Sequence, residues 1–151
     1  MPSCLRSVIV TLLLLLSVQT MAFGDEVKPQ VVKPEIAAAD QLYRAGKFTE
    51  AEAGYQAVLK NGSKLMPAEV EVAQVGLVRA MLRQQKIDDA LDAVNAALAA
   101  QPNSAALLAA KGEVQFRGGE MHDAEVCYLS AKKLDPKEVH AYLGLARHGQ
   151  I

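Results

Sequence analysis

The sequence predicts an all-α protein assembled from a repeated helical unit, and three observations lead to this prediction. Half of the residues are apolar (51%), but only 5% are aromatic and tryptophan is absent. Alanine and leucine therefore supply the apolar mass, and both are strong helix formers. Runs of β-branched residues with turns at strand spacing are missing. Three segments of the chain also align with one another without gaps, which is typical of a helical array.

Residues 1–24 have the pattern of a secretory signal peptide. Arg6 supplies a positive charge, residues 7–24 are uncharged with a leucine-rich centre, and Ala22 and Gly24 are the small residues that a signal peptidase reads. From this pattern we predict cleavage after Gly24 and export of the mature chain. The mature chain is then periplasmic or secreted, and the periplasm is included because the alanine-rich composition is typical of a bacterial protein. The alternative is an uncleaved membrane anchor, although the uncharged stretch is at the short edge for a span.

The predicted mature chain begins with a flexible lead-in over residues 25–33. This segment carries alternating charges and Pro29, and it has no helical period. Pro34 suits the first turn of a helix. The repeat domain is therefore predicted over residues 34–151, with no stable membrane span after cleavage.

The three aligned segments share a turn, a large apolar residue, an acidic residue and a small alanine, with another apolar residue four positions later. The shared alanines are Ala51, Ala90 and Ala124. The second and third are 34 residues apart, whereas the first and second are 39 apart, so five extra residues lie between them. The units are predicted over residues 34–63, 67–103 and 104–137, with a partial unit over residues 138–151.

This repeated pattern resembles the tetratricopeptide repeat family, whose unit is 34 residues folded as two antiparallel helices. The resemblance covers nearly all of residues 35–151. Its most specific marks are Gly46, Ala51, Tyr55, Ala90, Ala97, Pro102, Gly112, Gly119, Ala124, Tyr128, Ala131 and Pro136. The resemblance implies an all-α solenoid of three helical hairpins with a terminal capping helix that covers the last hairpin.

The residues themselves agree with this architecture. The small shared alanines lie where the two helices of a hairpin must approach closely. Gly46 and Gly119 provide the permissive backbone of a tight turn between helices, and Gln85 stands at the corresponding position of the second unit. Pro67 opens the third helix, which the insertion is expected to lengthen by about one turn.

Composition and motifs argue against several classes of function. The formal net charge of −1 does not suit a duplex nucleic-acid binder, which needs an excess of Lys and Arg. His140 and His148 are too far apart for a helical metal pair, and further ligands are missing. No nucleophile elbow, phosphate-binding loop or haem motif occurs. We therefore predict no enzymatic activity, no cofactor and no metal. Cys127 is either a buried packing residue or available for an intermolecular bond.

The resemblance implies a concave groove lined by the first helix of each unit. Carried onto this sequence, the selected partner-binding residues are Tyr43, Arg44, Arg79, Leu82, Arg83, Phe116, Arg117 and Arg147, and the same surface includes Asp40, Val75, Glu113 and Leu143. Arg44, Arg83 and Arg117 occupy one position in three units. Guanidinium groups pair with carboxylates and stack on aromatic rings. Such a groove suits an extended peptide with acidic and apolar residues.

A structural role is the alternative for these arginines. Each lies in the last turn of a helix, where the helix dipole favours a cation by roughly 0.3–1 kcal/mol. Tyr43 and Phe116 could likewise serve ordinary packing between helices. The carboxylate-clamp branch of the family has Lys and Asn where this sequence has Ile36 and Asp40. The ligand of that branch, the C-terminus of a chaperone, is therefore not expected for this sequence.

The predicted function is a protein–protein interaction scaffold or adaptor that binds a protein or an extended peptide, with envelope assembly or secretion as its setting. The alternative is a self-assembling structural subunit that forms a homo-oligomer through its open C-terminal end. Tyr142, Leu143 and Leu145 are the apolar residues of that end. No nucleic-acid partner is expected.

Overall fold

The computed structural model describes residues 33–61 and 64–149. Within these ranges it has seven α-helices and no strand, which confirms the all-α prediction. The helices are α1 (Pro34–Arg44), α2 (Phe48–Lys60), α3 (Pro67–Arg83), α4 (Ile87–Ala100), α5 (Ala105–Gly118), α6 (Met121–Leu134) and α7 (Val139–His148). The predicted signal peptide and residues 25–32 of the predicted lead-in lie outside the described residues.

Consecutive helices pack as three hairpins, α1–α2, α3–α4 and α5–α6, and α7 packs against both α5 and α6. The first helices of the hairpins also contact one another in series, α1 with α3, α3 with α5, and α5 with α7. This order is that of a helical-hairpin solenoid with a final capping helix, as predicted.

Each hairpin turn places one residue in the left-handed backbone region. Gly46 has φ +78° and Gly119 has φ +88°, which a glycine adopts without steric cost. Gln85 takes the same region at φ 63° in the second hairpin. The turn prediction is therefore confirmed at all three positions, including the one that lacks a glycine.

The insertion after the first unit is divided between a loop and a longer helix. Pro67 is the first residue of α3, and the Met66 backbone N–H donates to the Glu69 carboxylate at 2.8 Å. Helix α3 has 17 residues where α5 has 14, which agrees with the expected extra turn. Glu69 is buried and also lies 3.5 Å from the Lys33 ammonium, so the start of α1 is tied to the start of α3.

Small residues allow the helices to approach closely. The shared alanines Ala51, Ala90 and Ala124 are fully buried. Tyr128 of α6 is also buried and packs against the backbone of two first helices, at Gly112 and Gly144. A Cβ atom at either glycine would lie within 3.0 Å of the Tyr128 ring. The glycines therefore make room for the aromatic ring that fills the space between α5, α6 and α7.

Tyr55 plays the same role one repeat earlier. It is 1% exposed on α2, and a Cβ atom at Gly76 of α3 would meet its ring. The second hairpin has the smaller Val94 at this position of α4, and Ala110 of α5 stands where α3 and α7 have Gly76 and Gly144. A tyrosine ring on the second helix of a hairpin therefore occurs with a glycine on the following helix, whereas the smaller Val94 occurs with Ala110.

Candidate partner-binding groove

The first helices of the hairpins, together with α7, line two adjoining cavities on one face of the solenoid. The first, here called the arginine cavity, has a volume of about 360 Å³. Its arginines are Arg79, Arg83, Arg117 and Arg147, and its acidic residue is Glu113. The second, here called the carboxylate cavity, has a volume of about 400 Å³. Its acidic residues are Asp40, Glu71 and Glu138, and its arginines are Arg44 and Arg79.

The two cavities form one groove because they share Tyr43, Arg79 and His140. Charge is unevenly distributed along this groove. Four arginines outnumber a single carboxylate at one end, whereas three carboxylates outnumber two arginines at the other. The order of charges along a ligand therefore decides how well it fits the groove.

The structure brings most of the selected residues into this groove. Six line the arginine cavity, namely Tyr43, Arg79, Leu82, Arg83, Arg117 and Arg147. Arg44 lines the carboxylate cavity. Leu82 is only 1% exposed, so it belongs to the core beneath the groove. Phe116 lines neither cavity and packs against the buried cluster of Ala124, Tyr128 and Leu145.

Phe48 lies beneath one of the groove arginines, Arg83. The Tyr43 and Phe48 rings meet edge to face with centroids 5.4 Å apart, and the Arg83 guanidinium lies 5.1 Å from the centre of the Phe48 ring. Arg83 thus has a structural partner, and the cation–π contact stabilises an exposed arginine by about 0.5–1 kcal/mol. Sequence periodicity missed Phe48 because it begins α2, outside the first helices.

Arg79 is the most enclosed of the groove arginines. It lies one turn before the end of α3 and lines both cavities. Its Nε atom is buried and makes no hydrogen bond to another described residue. A buried donor without an acceptor is costly. A ligand carboxylate or carbonyl oxygen in the groove would satisfy this donor.

The groove residues that sequence reasoning missed include three polar ones, Glu71, Glu138 and His140. His140 of α7 lines both cavities. Desolvation lowers the pKa of its imidazole, and the charge of Arg79 lowers it further, while Glu138 acts in the opposite direction. His140 is therefore neutral at neutral pH.

The hydroxyl groups of two tyrosines lie beside the groove charges. The Tyr55 hydroxyl donates to the Asp40 carboxylate at 2.5 Å. Burial and this hydrogen bond raise the pKa of Tyr55, and the Arg79 charge opposes the rise. Burial raises the pKa of Tyr128 to about 12, with Glu113 raising it and Arg147 lowering it. Both hydroxyls therefore remain protonated at neutral pH.

Other chemistry is sparse in the part of the chain that the structure describes. No group of three His, Cys, Asp or Glu side chains there could hold a metal ion. Cys127 is a half-buried free thiol whose Sγ lies 3.0 Å from the Gln115 side-chain oxygen, and burial raises the pKa of the thiol. A protonated, partly covered thiol is a poor nucleophile.

None of the seven described helices combines the length and the apolar character that a bilayer crossing requires.

The apolar residues of the C-terminal end differ in exposure. Leu145 is 2% exposed and packs against Ala124 and Tyr128, so it lies in the contact between α7 and the third hairpin. The Tyr142 ring is covered by the Lys132 ammonium at 4.8 Å. Leu143 is 48% exposed, and it faces the arginine cavity. Self-association through this end stays a prediction.

The hairpin order and the groove on the first helices define a class of helical-repeat protein. Residues 22–145 match the tetratricopeptide repeat-like domain family, and the chain belongs to this family. Comparison with curated protein sequences gives no match.

Solved tetratricopeptide repeat structures have the same fold. The first such domain of human RPAP3 is 19% identical with a TM-score of 0.66, over 77% of this chain and 87% of that chain. The first domain of Spaghetti (RPAP3), bound to the HSP90 peptide SRMEEVD, is 20% identical with a TM-score of 0.64, over 84% and 97%. The Yersinia enterocolitica type III secretion translocator chaperone SycD is 16% identical with a TM-score of 0.63, over 83% and 91%.

Proposed function

We propose that this protein is an interaction scaffold that binds an extended segment of a partner protein along the groove. The observation that carries the proposal is the arginine cavity, where Arg79, Arg83, Arg117 and Arg147 from three different helices surround a volume of about 360 Å³. Arginine is suited to this task because its planar guanidinium binds carboxylates bidentately. Acidic side chains of the ligand pair with these arginines.

The comparisons support the same class of function. The Spaghetti domain was solved with the peptide SRMEEVD, and SycD is a chaperone of a secretion translocator. A tetratricopeptide fold alone fixes no partner. The choice of a peptide-like ligand for this chain therefore depends on its own groove, which carries charges of both signs and is lined by successive helices.

The proposal is tested by replacing one groove arginine. Arg117 is exposed in the last turn of α5 and has no ion-pair partner among the described residues. Arg117→Ala is expected to lower recovery of the partner from cell-envelope fractions severalfold, because a charge-assisted hydrogen bond is lost. Recovery on the immobilised protein is measured by quantitative mass spectrometry.

The matched control is Lys60→Ala. Lys60 is also an exposed cation in the last turn of a helix, but it lies on α2 and lines neither cavity. Removing it costs the same interaction with the helix dipole and no groove contact. The proposal would be contradicted if wild type and Arg117→Ala recovered equal amounts of the partner while Arg117→Ala and Lys60→Ala both had lower melting temperatures. Arg117 would then stabilise only the end of its helix.

We also propose that the scaffold acts outside the cytoplasm, in envelope assembly or secretion. The proposal rests on the signal-peptide pattern of residues 1–24. Protein recovered from the periplasm is expected to begin at Asp25 when its N-terminus is sequenced. A chain that keeps Met1 and fractionates with membranes would contradict cleavage.

A further inference from the structure

Four charged residues occupy one repeat position on the groove side of successive first helices, and their signs alternate. Asp40 lies on α1, Arg79 on α3, Glu113 on α5 and Arg147 on α7. Arg79, Glu113 and Arg147 follow one another at 34 residues, and Asp40 precedes Arg79 by 39 because of the insertion. These four residues are called the charge ladder below.

All four members of the charge ladder line the groove. Asp40 lies in the carboxylate cavity, Glu113 and Arg147 lie in the arginine cavity, and Arg79 lines both. The Tyr55 hydroxyl holds the Asp40 carboxylate by a hydrogen bond. The ladder therefore follows the line of helix contacts from α1 through α3 and α5 to α7.

The ladder charges do not neutralise one another by direct contact. Among the described residues, no ion pair within 4.0 Å includes a ladder member, and the buried Arg79 Nε has no hydrogen-bond partner. Elsewhere opposite charges do meet, as between Lys86 and Glu52 at 2.8 Å. The ladder thus presents four charges of alternating sign to a ligand.

We infer that the groove recognises an extended peptide segment whose charged side chains alternate in sign at every third position. From α1 to α7 the charges of the peptide are positive, negative, positive and negative, so that each one faces a ladder residue of opposite sign. This inference rests on the proposed function. Packed helices lie about 8–10 Å apart. A peptide in the extended polyproline II conformation has three residues per turn and rises about 3.1 Å per residue. Every third side chain therefore lies on the same face of the peptide, about 9 Å further along, and meets the next helix.

The other groove arginines, which lie outside the charge ladder, do not set this order of peptide charges. Arg44, Arg83 and Arg117 carry one sign at one repeat position, so they favour an acidic ligand without regard to its sequence. The charge ladder distinguishes ligands of equal composition, because an alternating order matches all four charges and a blocked order places two like charges together.

The test uses synthetic peptides of about ten residues with blocked ends, since four charges at every third position need that length. Two peptides alternate Lys and Glu at every third position, one beginning with Lys and the other with Glu, with Ala and Ser between them. A control peptide of the same composition has both Lys residues first and both Glu residues last. Binding to the full mature chain is followed by NMR shifts of backbone amides.

One alternating peptide, the one whose direction matches the groove, is expected to bind about fivefold or more tightly than the control. Its shifts should fall on α1, α3, α5 and α7. Equal affinity of all three peptides in the groove would overturn the inference and leave the proposed function standing. The inference would also be overturned if the shifts were confined to other helices or if neither alternating peptide bound. The proposed function is decided separately, by recovery of the partner with Arg117→Ala.

Charge reversal provides a second test. Arg79→Glu is expected to lose about fivefold in affinity for the favoured peptide. It should regain the affinity when the peptide glutamate facing position 79 becomes Lys. A loss that the exchanged peptide does not restore would contradict recognition at this rung of the charge ladder. The comparison of the peptides on the wild-type chain holds even if the variant fails to fold.

Discussion

Tyr128→Ala is expected to lower the free energy of unfolding by about 3–5 kcal/mol, the range for truncating a buried aromatic side chain. Tyr128 is 2% exposed and its ring lies against the backbone at Gly112 and Gly144, so its loss leaves a cavity between α5, α6 and α7. The surrounding helices cannot close this cavity without shifting the capping helix. Urea denaturation followed by circular dichroism measures the loss.

Tyr142→Ala is the matched control for this measurement. Tyr142 lies on α7 near the same end of the solenoid, but its ring is partly exposed and lies under the Lys132 ammonium. Its removal is expected to cost less than about 2 kcal/mol, since one cation–π contact and partial burial are lost. Equal destabilisation by the two variants would mean that Tyr128 does not organise the end of the array.

Arg79→Ala is expected to weaken binding of the partner about tenfold or more. A charge-assisted hydrogen bond contributes roughly 1.5–3 kcal/mol, and 1.4 kcal/mol is tenfold in affinity. Stability should be unchanged or higher, because the variant removes a buried Nε that has no acceptor among the described residues. Titration calorimetry with the purified partner and thermal melting measure the two quantities.

Lys133→Ala is the control for Arg79→Ala, because Lys133 is an exposed cation on α6 that lines neither cavity. It should leave affinity unchanged. Raising the salt concentration should weaken wild-type binding more than binding by Arg79→Ala, since partly exposed charges are screened. Unaltered affinity of Arg79→Ala with lost stability would assign this arginine to the fold.

The fold could be predicted from sequence because its signals are local and repeated. Ala51, Ala90 and Ala124 mark the close approach of the two helices within each hairpin, and Gly46 and Gly119 mark the turns. The alanine recurs in all three units, and the turn glycine occurs in the first and third. A repeat position also identifies which face of a helix is directed at the groove, which is why most selected side chains line the two cavities.

The details of the groove depend on contacts between units that differ in sequence. Tyr43, Leu82 and Phe116 share one repeat position, yet Leu82 is buried and Phe116 packs into the last cluster, because different neighbours cover them. Phe48 beneath Arg83 could not be predicted, since the two residues are 35 positions apart and belong to different hairpins. Periodicity predicts a face of the helix, whereas exposure depends on what packs against it.

Site-specific photo-cross-linking tests the central claim, that the groove holds the partner. A photoreactive amino acid is placed at Leu143, which faces the arginine cavity and is 48% exposed, or at Val126 on α6, which lines neither cavity and is 50% exposed. Irradiation of cells is expected to give a cross-linked partner from position 143 and none from position 126. A partner cross-linked from position 126 alone, or only a dimer of this chain from position 143, would contradict the claim.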